Sequence, residues 1–199
     1  LMILDGEPCR PFDASRNGLN LGEGAGFVVL ISDRVRASEK NSASVFVSGF
    51  ANTNDAFHQT ASSPKGRGSF GAMTKALAMA ALSPNDIDYI NLHGTGTMNN
   101  DLSEGTAVSR LYGDAYPKLS STKAFTGHTL GASGGIEAVF STMAIQQQCV
   151  FPNLRFQNPI PEINIIPQKN FEEGVNINHV MSNSFGFGGN CSSIVFSRG

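Results

Sequence analysis

The alternation of short apolar runs with longer segments of helical periodicity is the feature that most constrains the fold of this chain. Residues 131–148 place apolar side chains from Ile136 to Ala144 at the i, i+3, i+4, i+7 and i+8 spacing of a buried helix face. A continuous apolar run bounded by glycines, as at 26–32, is typical of a buried strand. Strands are predicted at 26–32, 45–49, 89–92, 120–123, 178–183 and 193–197, and helices at 69–82, 101–112 and 131–148. This alternation indicates an α/β domain, and the closing pair of strands predicts a hairpin and a mixed sheet.

Two local patterns refine these boundaries. Asp101 and Glu104 have the spacing of a capping box, which predicts that the second helix begins at Asp101. Residues 52–68 are polar and contain Pro64 and Gly66, so they are predicted to form a long loop. The sequence contains no internal repeat and no inter-domain linker.

The charge balance excludes several classes of function. The chain has 199 residues, and 14 Lys and Arg against 16 Asp and Glu give a formal net charge of −2. Nucleic acid is not expected as a partner, because it requires a basic surface. A membrane partner is not expected either, because no apolar run approaches the roughly 20 residues that span a bilayer. Cys9, Cys149 and Cys191 form no CxxC pair, which favours a reducing, cytoplasmic location.

The beginning of the chain suggests a piece of something larger. It starts at Leu1 in an apolar stretch rather than at a methionine. That stretch is too short for a signal peptide and lacks its basic flank. We therefore expect the chain to have been cut from a longer one.

Two glycine motifs resemble well-known sites, but their contexts do not fit. The glycines at 22–26 follow a loop and precede a predicted strand, whereas a dinucleotide fingerprint needs a strand before it and a helix after it. Residues 131–135 match the G-x-S-x-G pattern of a nucleophile elbow around Ser133, but the segment before them is polar and broken by glycine. Close backbone packing is the better interpretation of both motifs.

The residues that follow the strand at 89–92 are more informative. His93 lies at the end of that strand, which is where ligand sites collect in α/β folds. In a locally extended segment, Thr95 and Thr97 project to the same side. A lone histidine in such a place is more often structural, but this one has hydroxyl groups beside it.

A second cluster carries basic groups. Lys123 and His128 lie in a glycine-containing loop ahead of the helix at 131–148, and Glu137 on that helix is placed to pair with Lys123. A solvent-exposed lysine is the simpler interpretation, although the surroundings are poor in charge. Neutral histidines and a lysine suit the stabilisation of an enolate or oxyanion. A metal site is less suited, because His93 and His128 lack a regular ligand spacing.

A third cluster is the loop that follows the strand at 178–183. Residues 184–190 contain three glycines together with Phe185 and Phe187. Such a loop can aim a backbone N–H at developing negative charge, and Phe187 can act as a gate. An ordinary glycine-rich turn with phenylalanine in the core is the alternative. The three clusters lack a convincing nucleophile.

Together these motifs resemble a known family. HGTGTMNND at 93–101, STKAFTGHTLGASGGIEA at 121–138 and NSFGFGG at 183–189 are similar to signatures of the β-ketoacyl-acyl-carrier-protein synthases, and RPFDASRNGLNLGEGAG at 10–26 resembles their upstream stretch. The resemblance implies a thiolase-like fold, in which two α/β halves form a five-layered αβαβα sandwich and chains usually form homodimers. It implies that 33–199 form the C-terminal half-domain and that 1–32 are the last loop and strand of the N-terminal half.

The resemblance also implies roles for the polar residues. His93 is similar to the histidine that assists decarboxylation of a malonyl thioester, and His128 to the one that hydrogen-bonds the thioester carbonyl and steadies the enolate. Lys123 resembles the lysine that orients this network through an acidic partner, here Glu137.

The substrate-binding residues follow in the same way. Thr95 and Thr97 resemble the threonines that hold the pantetheine arm of the acyl carrier protein. Phe187 resembles the gating phenylalanine whose backbone N–H forms half of an oxyanion hole, and Gly186 and Gly188 beside it are expected to contact substrate.

No cofactor is expected apart from a possible structural cation. Asn91, Glu104, Glu137 and Ser182 match positions around a monovalent cation in some family members. A catalytic metal is not expected.

The nucleophilic cysteine of the family has no match in this chain. Cys9 lies before the RPFD stretch, Cys149 ends a helix, and Cys191 follows the glycine loop within an Asn-Cys pair where Thr-Asn is more usual. We expect all three thiols to be packed in the interior.

The sequence therefore predicts the C-terminal part of a condensing enzyme that is inactive on its own. The reaction is a decarboxylative Claisen condensation of an acyl thioester with a malonyl thioester on acyl carrier protein, in fatty-acid or polyketide biosynthesis. The alternative is a non-catalytic partner subunit that shapes chain length, against which the retained histidines and Lys123 argue. A thiolase is a weaker alternative, because it would use a second cysteine near the loop that Cys191 follows.

Overall fold

The structure, a computed structural model, describes residues 3–38 and 44–199. The strands are β1 (Val45–Asn54), β2 (Tyr89–Asn91), β3 (Lys118–Ser120), β4 (Cys149–Val150), β5 (Glu172–Glu173), β6 (His179–Phe185) and β7 (Asn190–Arg198). The helices are α1 (Asp33–Ser38), α2 (Arg67–Ala80), α3 (Met98–Tyr112), α4 (Lys123–Thr126) and α5 (Ser133–Gln147). Within the described ranges, no helix is both long and apolar enough to cross a membrane.

Five of the strands form one mixed sheet in the order β1-β7-β6-β2-β3. The predicted closing hairpin is confirmed, because β6 and β7 are antiparallel neighbours. Strand β2 lies parallel to both β6 and β3, and β1 pairs antiparallel with β7 at the edge. Parallel strands need crossover connections, and the helices provide them.

Helices cover both faces of this sheet because its side chains alternate along each strand. Met181 and Val195 belong to a core shared with α2 and α3. Their neighbours Val180 and Phe196 belong to a second core shared with α5. The result is a three-layered α/β/α arrangement, and it belongs to the α/β class that the alternation of strands and helices predicts.

Two boundaries differ from the sequence prediction for local reasons. The predicted loop at 52–68 begins later, because β1 continues its pairing with β7 as far as Asn54 and Asn190. The predicted strand at 120–123 is also displaced. Strand β3 ends at Ser120, and Lys123 begins α4 after a turn in which its N–H donates to Ser121 Oγ at 3.2 Å.

The predicted capping box at Asp101 and Glu104 is wrong. Helix α3 begins three residues earlier, and Thr97 is its N-cap, with Oγ1 accepting the N–H of Asn100. Asp101 is instead buried inside the first turn, where its carboxylate accepts the N–H of Phe12 at 2.8 Å. The acidic spacing therefore reflects buried hydrogen bonding rather than a helix end.

The predicted buried strand at 26–32 is wrong for the chain as the structure describes it. The segment has no strand geometry, and Phe27 and Val29 are 88% and 89% exposed. A strand requires backbone partners on a neighbouring strand, and the sheet of this chain ends at β1 without reaching these residues. The assignment of 1–32 to another half-domain stays a prediction.

The glycines at 22–26 pack closely against the end of α4 and the first turn of α5. A Cβ at Gly22 would collide with the backbone of Thr126, and one at Gly26 would collide with the backbone of Gly135. The interpretation as close packing is therefore confirmed, and the segment is held directly against the start of α5.

Candidate active site

A cleft of about 600 Å³ lies where the loops after β2 and β6 meet. Because β2 and β6 are parallel neighbours, their carboxyl ends share one edge of the sheet. The predicted residues that line the cleft are His93, Thr95, Thr97, His128, Gly186 and Phe187. The predicted residues outside its lining are Asn91, Glu104, Lys123, Glu137, Ser182 and Gly188.

The rings of His93 and His128 lie together in the cleft, with centroids 5.3 Å apart and planes at 84°. Burial lowers the pKa of His93 well below its usual value, and the nearby charge of Lys123 acts in the same direction. Burial, followed by Lys123, lowers the pKa of His128 to about 4. Both imidazoles are therefore neutral at pH 7.

A buried ion pair lies behind these rings. Lys123 and Glu137 are each 2% exposed, and their side chains are in direct contact. Lys123 Nζ is also 3.3 Å from His93 Nδ1. Burial raises the pKa of Glu137, and Lys123 opposes that shift. The alternative of a solvent-exposed lysine is excluded, because the Lys123 side chain is buried.

The hydrogen-bond partners assign the ring hydrogens. An ammonium group and a backbone N–H can only donate. Lys123 Nζ faces Nδ1 of His93, and the N–H of Leu130 donates to Nδ1 of His128 at 3.1 Å. Both Nδ1 atoms are therefore acceptors, which leaves the ring hydrogen on Nε2 in each neutral imidazole.

Glu104 anchors the turn that carries His93. Its carboxylate accepts the backbone N–H of His93 at 3.0 Å and of Gly94 at 2.8 Å. It also accepts from Asn183 Nδ2 at 3.1 Å. Complete burial raises the pKa of Glu104 to about 7 against these three hydrogen bonds. The sequence analysis missed Asn183, and the only signal for it was a polar residue inside an otherwise buried strand.

The two threonines of the cleft contact each other. Thr95 Oγ1 and Thr97 Oγ1 are 2.9 Å apart. The carboxylate of Asp101 accepts the N–H of Gly96 between them, and Arg16 donates to the carbonyl of Thr97 at 3.3 Å. The turn that presents both hydroxyls is thus held by two buried charged side chains, those of Arg16 and Asp101. The sequence analysis did not predict this role for either residue.

The loop after β6 presents Phe187, which is 55% exposed. Gly188 has φ 76°, a conformation that favours glycine. Its N–H donates to the carbonyl of Gln59 and its carbonyl accepts from Asn54 Nδ2, both at 2.8 Å. These bonds hold the loop against the residues that follow β1.

The four residues matched to a cation position differ in whether their polar side-chain atoms already have hydrogen-bond partners. The side-chain nitrogen and oxygen of Asn91 and the Oε2 of Glu137 are buried, and none of these three atoms has a hydrogen-bond partner among the described residues. Ser182 lies beside Asn91 in the parallel pairing of β2 and β6. Glu104 accepts hydrogen bonds from three N–H groups. Asn91 and Glu137 each leave a buried oxygen available to a small cation, and the places of Glu104 and Ser182 beside such a cation stay predictions.

The three thiols are all buried, as the sequence predicts. Burial raises the pKa of each, that of Cys191 to about 11. Along the part of the chain that the structure describes, no cysteine lines the cleft. Raised pKa values and burial make these thiols poor nucleophiles.

Lowering the pH from 6.5 to 4 is expected to reduce the free energy of unfolding through His128. The unfolded chain protonates this imidazole near pH 6.5 and the folded chain only near pH 4, so the unfolded state binds more protons in this window. Urea unfolding across the window measures the effect. A His128→Gln variant should show a shallower loss than the wild type. Equal slopes for wild type and His128→Gln would contradict the assignment.

Comparison with known proteins agrees with this geometry. The family described as "Beta-ketoacyl synthase, C-terminal domain" matches residues 44–157. The 3-oxoacyl-[acyl-carrier-protein] synthase 2 of Staphylococcus aureus (strain COL) is 40% identical over 194 residues, which are 96% of this chain and 46% of that protein. The chain thus spans about half the length of the curated relatives it matches.

Solved structures of related proteins have the same backbone fold. The ishigamide ketosynthase/chain length factor superposes with a TM-score of 0.91 at 31% identity, over 98% of this chain and 48% of that one. A type II PKS acyl-carrier protein in complex with its ketosynthase bound to the hexaketide gives a TM-score of 0.88 at 30% identity, over 96% of this chain and 47% of that one.

These likenesses confirm the predicted fold class, an α/β chain with a thiolase-like fold. The chain belongs to the β-ketoacyl synthase family, and it covers the C-terminal half of the relatives that it matches.

Proposed function

We propose that this chain is the C-terminal part of a β-ketoacyl-acyl-carrier-protein synthase. The observation that carries the proposal is the pair of neutral imidazoles, His93 and His128, in one cleft with their Nε2 hydrogens available. Such a pair can stabilise negative charge on an oxygen without transferring a proton. The reaction that we assign is the decarboxylative condensation of an acyl thioester with a malonyl thioester on acyl carrier protein.

The first step is loss of CO₂ from the malonyl thioester. The bond between the carboxylate carbon and the α-carbon breaks, and its electron pair moves onto the thioester carbonyl to form an enolate. In the proposed step, the Nε2 hydrogens of His93 and His128 donate to the oxygen that gains this charge. Because the rings sit in fixed orientations, little reorganisation is required as the charge develops.

The second step forms the new carbon–carbon bond. The α-carbon of the enolate attacks the carbonyl of an acyl group held as a thioester on a cysteine, and the cysteine leaves as a thiolate. A backbone N–H of the loop at Phe187 stabilises the oxyanion, and Phe187 gates entry. Thr95 and Thr97 bind the pantetheine arm, with support from Gly186 and Gly188.

The isolated chain is expected to show no condensation, because no cysteine of its described part lines the cleft. The measurement is formation of 3-oxoacyl product from acyl- and malonyl-carrier protein. Adding the N-terminal half of a synthase as a separate polypeptide should restore turnover if the halves associate. Clear turnover by this chain alone would overturn the assignment of the nucleophile to another segment.

A monovalent cation near Asn91 and Glu137 is a second part of the proposal. These groups have unpartnered buried atoms, and a cation with oxygen ligands would satisfy Asn91 Oδ1 and Glu137 Oε2. Its contribution would be structural, since it would hold β2 and α5 around His93. Potassium or sodium is expected to raise the unfolding temperature of the wild type more than that of Asn91→Leu. An equal rise in both proteins would contradict the site.

The remaining segments have proposed places in a longer protein. Residues 1–32 are assigned to the edge of the N-terminal half, where the exposed apolar run at 26–32 would find a strand partner. We further propose a homodimer, acyl carrier protein as substrate carrier, and a cytoplasmic location, to which the unpaired thiols are suited.

A chain-length-factor-like subunit is the second candidate. It is favoured by the likeness to the ishigamide ketosynthase/chain length factor. It is opposed by the intact set of His93, His128 and Lys123, for which a non-catalytic subunit has no chemical need. Decarboxylation of malonyl-carrier protein separates the candidates. Loss of this activity when His93 is substituted supports the enzyme. Unchanged activity of a complete heterodimer in which His93 of this chain is substituted supports the partner subunit.

A further inference from the structure

The start of α5 carries a buried hydroxyl that the proposed reaction does not use. Ser133 is the first residue of this helix and is only 5% exposed, yet it lines the cleft. Its Oγ lies 2.9 Å from Nδ1 of His128 and 3.2 Å from Oγ1 of Thr129. This is the serine at the centre of the G-x-S-x-G pattern at 131–135.

The direction of the bond to His128 follows from its other partner. The N–H of Leu130 donates to the same Nδ1 at 3.1 Å, and a backbone N–H cannot accept. Nδ1 is therefore an acceptor, so the Ser133 hydroxyl must donate to it. The hydroxyl of Thr129 can in turn donate to Ser133 Oγ. A short relay of donors thus ends on one ring nitrogen.

We propose that Ser133 is a positioning residue that acts through His128 by donating a hydrogen bond to its Nδ1. Two donors on Nδ1 fix the rotation of the ring and keep its hydrogen on Nε2. They also withdraw electron density from the ring, which makes the Nε2–H a stronger donor toward an oxygen in the cleft. Only the catalytic consequence of this contact rests on the proposed function.

A nucleophilic serine is the competing role for the same contact, and the surroundings disfavour it. A general base must offer a free lone pair to the serine hydroxyl. On His128 that lone pair is shared with the N–H of Leu130. The lowered pKa of His128, about 4 because of burial, also makes the ring a weak base at neutral pH.

Nitrogen-15 NMR of the histidine rings tests the contact directly. In the wild-type chain we expect His128 to carry its hydrogen on Nε2 and to show Nδ1 as a hydrogen-bonded acceptor. In Ser133→Ala the hydrogen should stay on Nε2, because Leu130 remains. The Nδ1 resonance should move by several parts per million toward that of a nitrogen without a hydrogen bond. Ser133→Thr, which retains the hydroxyl, should restore it.

The control is Ser141→Ala on the same helix. Ser141 is also buried, but its hydroxyl donates to the backbone carbonyl of Glu137 at 2.8 Å. This variant should leave the His128 resonances unchanged. A hydrogen on Nδ1 in the wild type, or an Nδ1 resonance that is identical in Ser133→Ala, would overturn the proposal.

Kinetics and labelling supply the second readout, in a synthase that contains this chain. Ser133→Ala should lower kcat about three- to tenfold at unchanged KM, as expected for loss of one neutral hydrogen bond, and Ser133→Thr should recover it. Covalent labelling of Ser133 by a fluorophosphonate would overturn the positioning role in favour of a nucleophile. The NMR measurement needs no substrate, so a failure of the proposed condensation would leave its result interpretable.

Discussion

Replacing His128 with alanine in a synthase that contains this chain is expected to slow decarboxylation of the malonyl thioester by roughly 10²- to 10³-fold. In the proposed mechanism, the variant removes an Nε2–H donor and leaves the enolate oxygen with His93 alone. Release of CO₂ from malonyl-carrier protein under single-turnover conditions measures the step. KM should change much less than kcat, because the interaction strengthens as charge develops.

His179→Ala is the matched control for this experiment. His179 lies on β6 but does not line the cleft, and its Nδ1 bonds Ser197 Oγ at 2.8 Å. Its loss should change the rate by less than about threefold. Wild-type decarboxylation by the His128→Ala enzyme would show that the enolate is stabilised elsewhere.

Replacing Lys123 with methionine is expected to destabilise the fold by about 3–5 kcal/mol. The substitution leaves the carboxylate of Glu137 buried without its counter-charge, at 2% exposure. The same change removes the group that faces Nδ1 of His93, so activity should fall with stability. Urea unfolding measures the free energy, and the decarboxylation assay measures the second effect.

Two further variants separate the contributions. Lys118→Met breaks the half-exposed ion pair of Lys118 with Glu172, for which a cost below about 1 kcal/mol is expected. In Lys123→Met with Glu137→Leu, stability should largely return, because packed apolar groups can replace a buried ion pair. Activity should not return. Equal destabilisation by Lys123→Met and Lys118→Met would mean that burial of the pair adds nothing.

The parts of the fold that depend on local periodicity could be predicted from the sequence. The apolar positions of α5 repeat at helical spacing, and the observed helix, Ser133–Gln147, differs by only a residue or two from the predicted 131–148. The hairpin of β6 and β7 followed in the same way. In each case the apolar residues that form the sequence pattern are also the residues that pack in the core, so the pattern alone predicts the element.

The failures come from interactions between distant segments. The spacing of Asp101 and Glu104 has a local interpretation as a cap, but the two carboxylates also accept from Phe12 and Asn183, which are 89 and 79 residues away in sequence. Those contacts exist only after α3, β6 and the N-terminal loop have assembled, so no short window of sequence contains them. The strand predicted at 26–32 failed for the same reason, because strand formation depends on a neighbour.

For the candidate site, the types of residue were predictable and their mutual geometry was not. A histidine after a strand and a lysine in a glycine-containing loop indicate anion stabilisation wherever they meet. Their meeting depends on the parallel pairing of β2 with β3, which places the carboxyl ends of the two strands side by side. Which ring nitrogen of His128 carries the hydrogen is also set by the backbone N–H of Leu130. Every residue except proline has such an N–H, so the residue type gives no signal for this contact.

The exposed run at 26–32 has a practical consequence for the solution behaviour of this chain. It combines β-branched and aromatic residues with no charge from Gly26 to Ser32, and Phe27, Val29 and Leu30 are each more than three-quarters exposed. Segments of this composition associate with one another through intermolecular β-pairing. We therefore expect the purified chain to aggregate with increasing concentration, and a charged replacement at Val29 to delay that aggregation without changing the cleft.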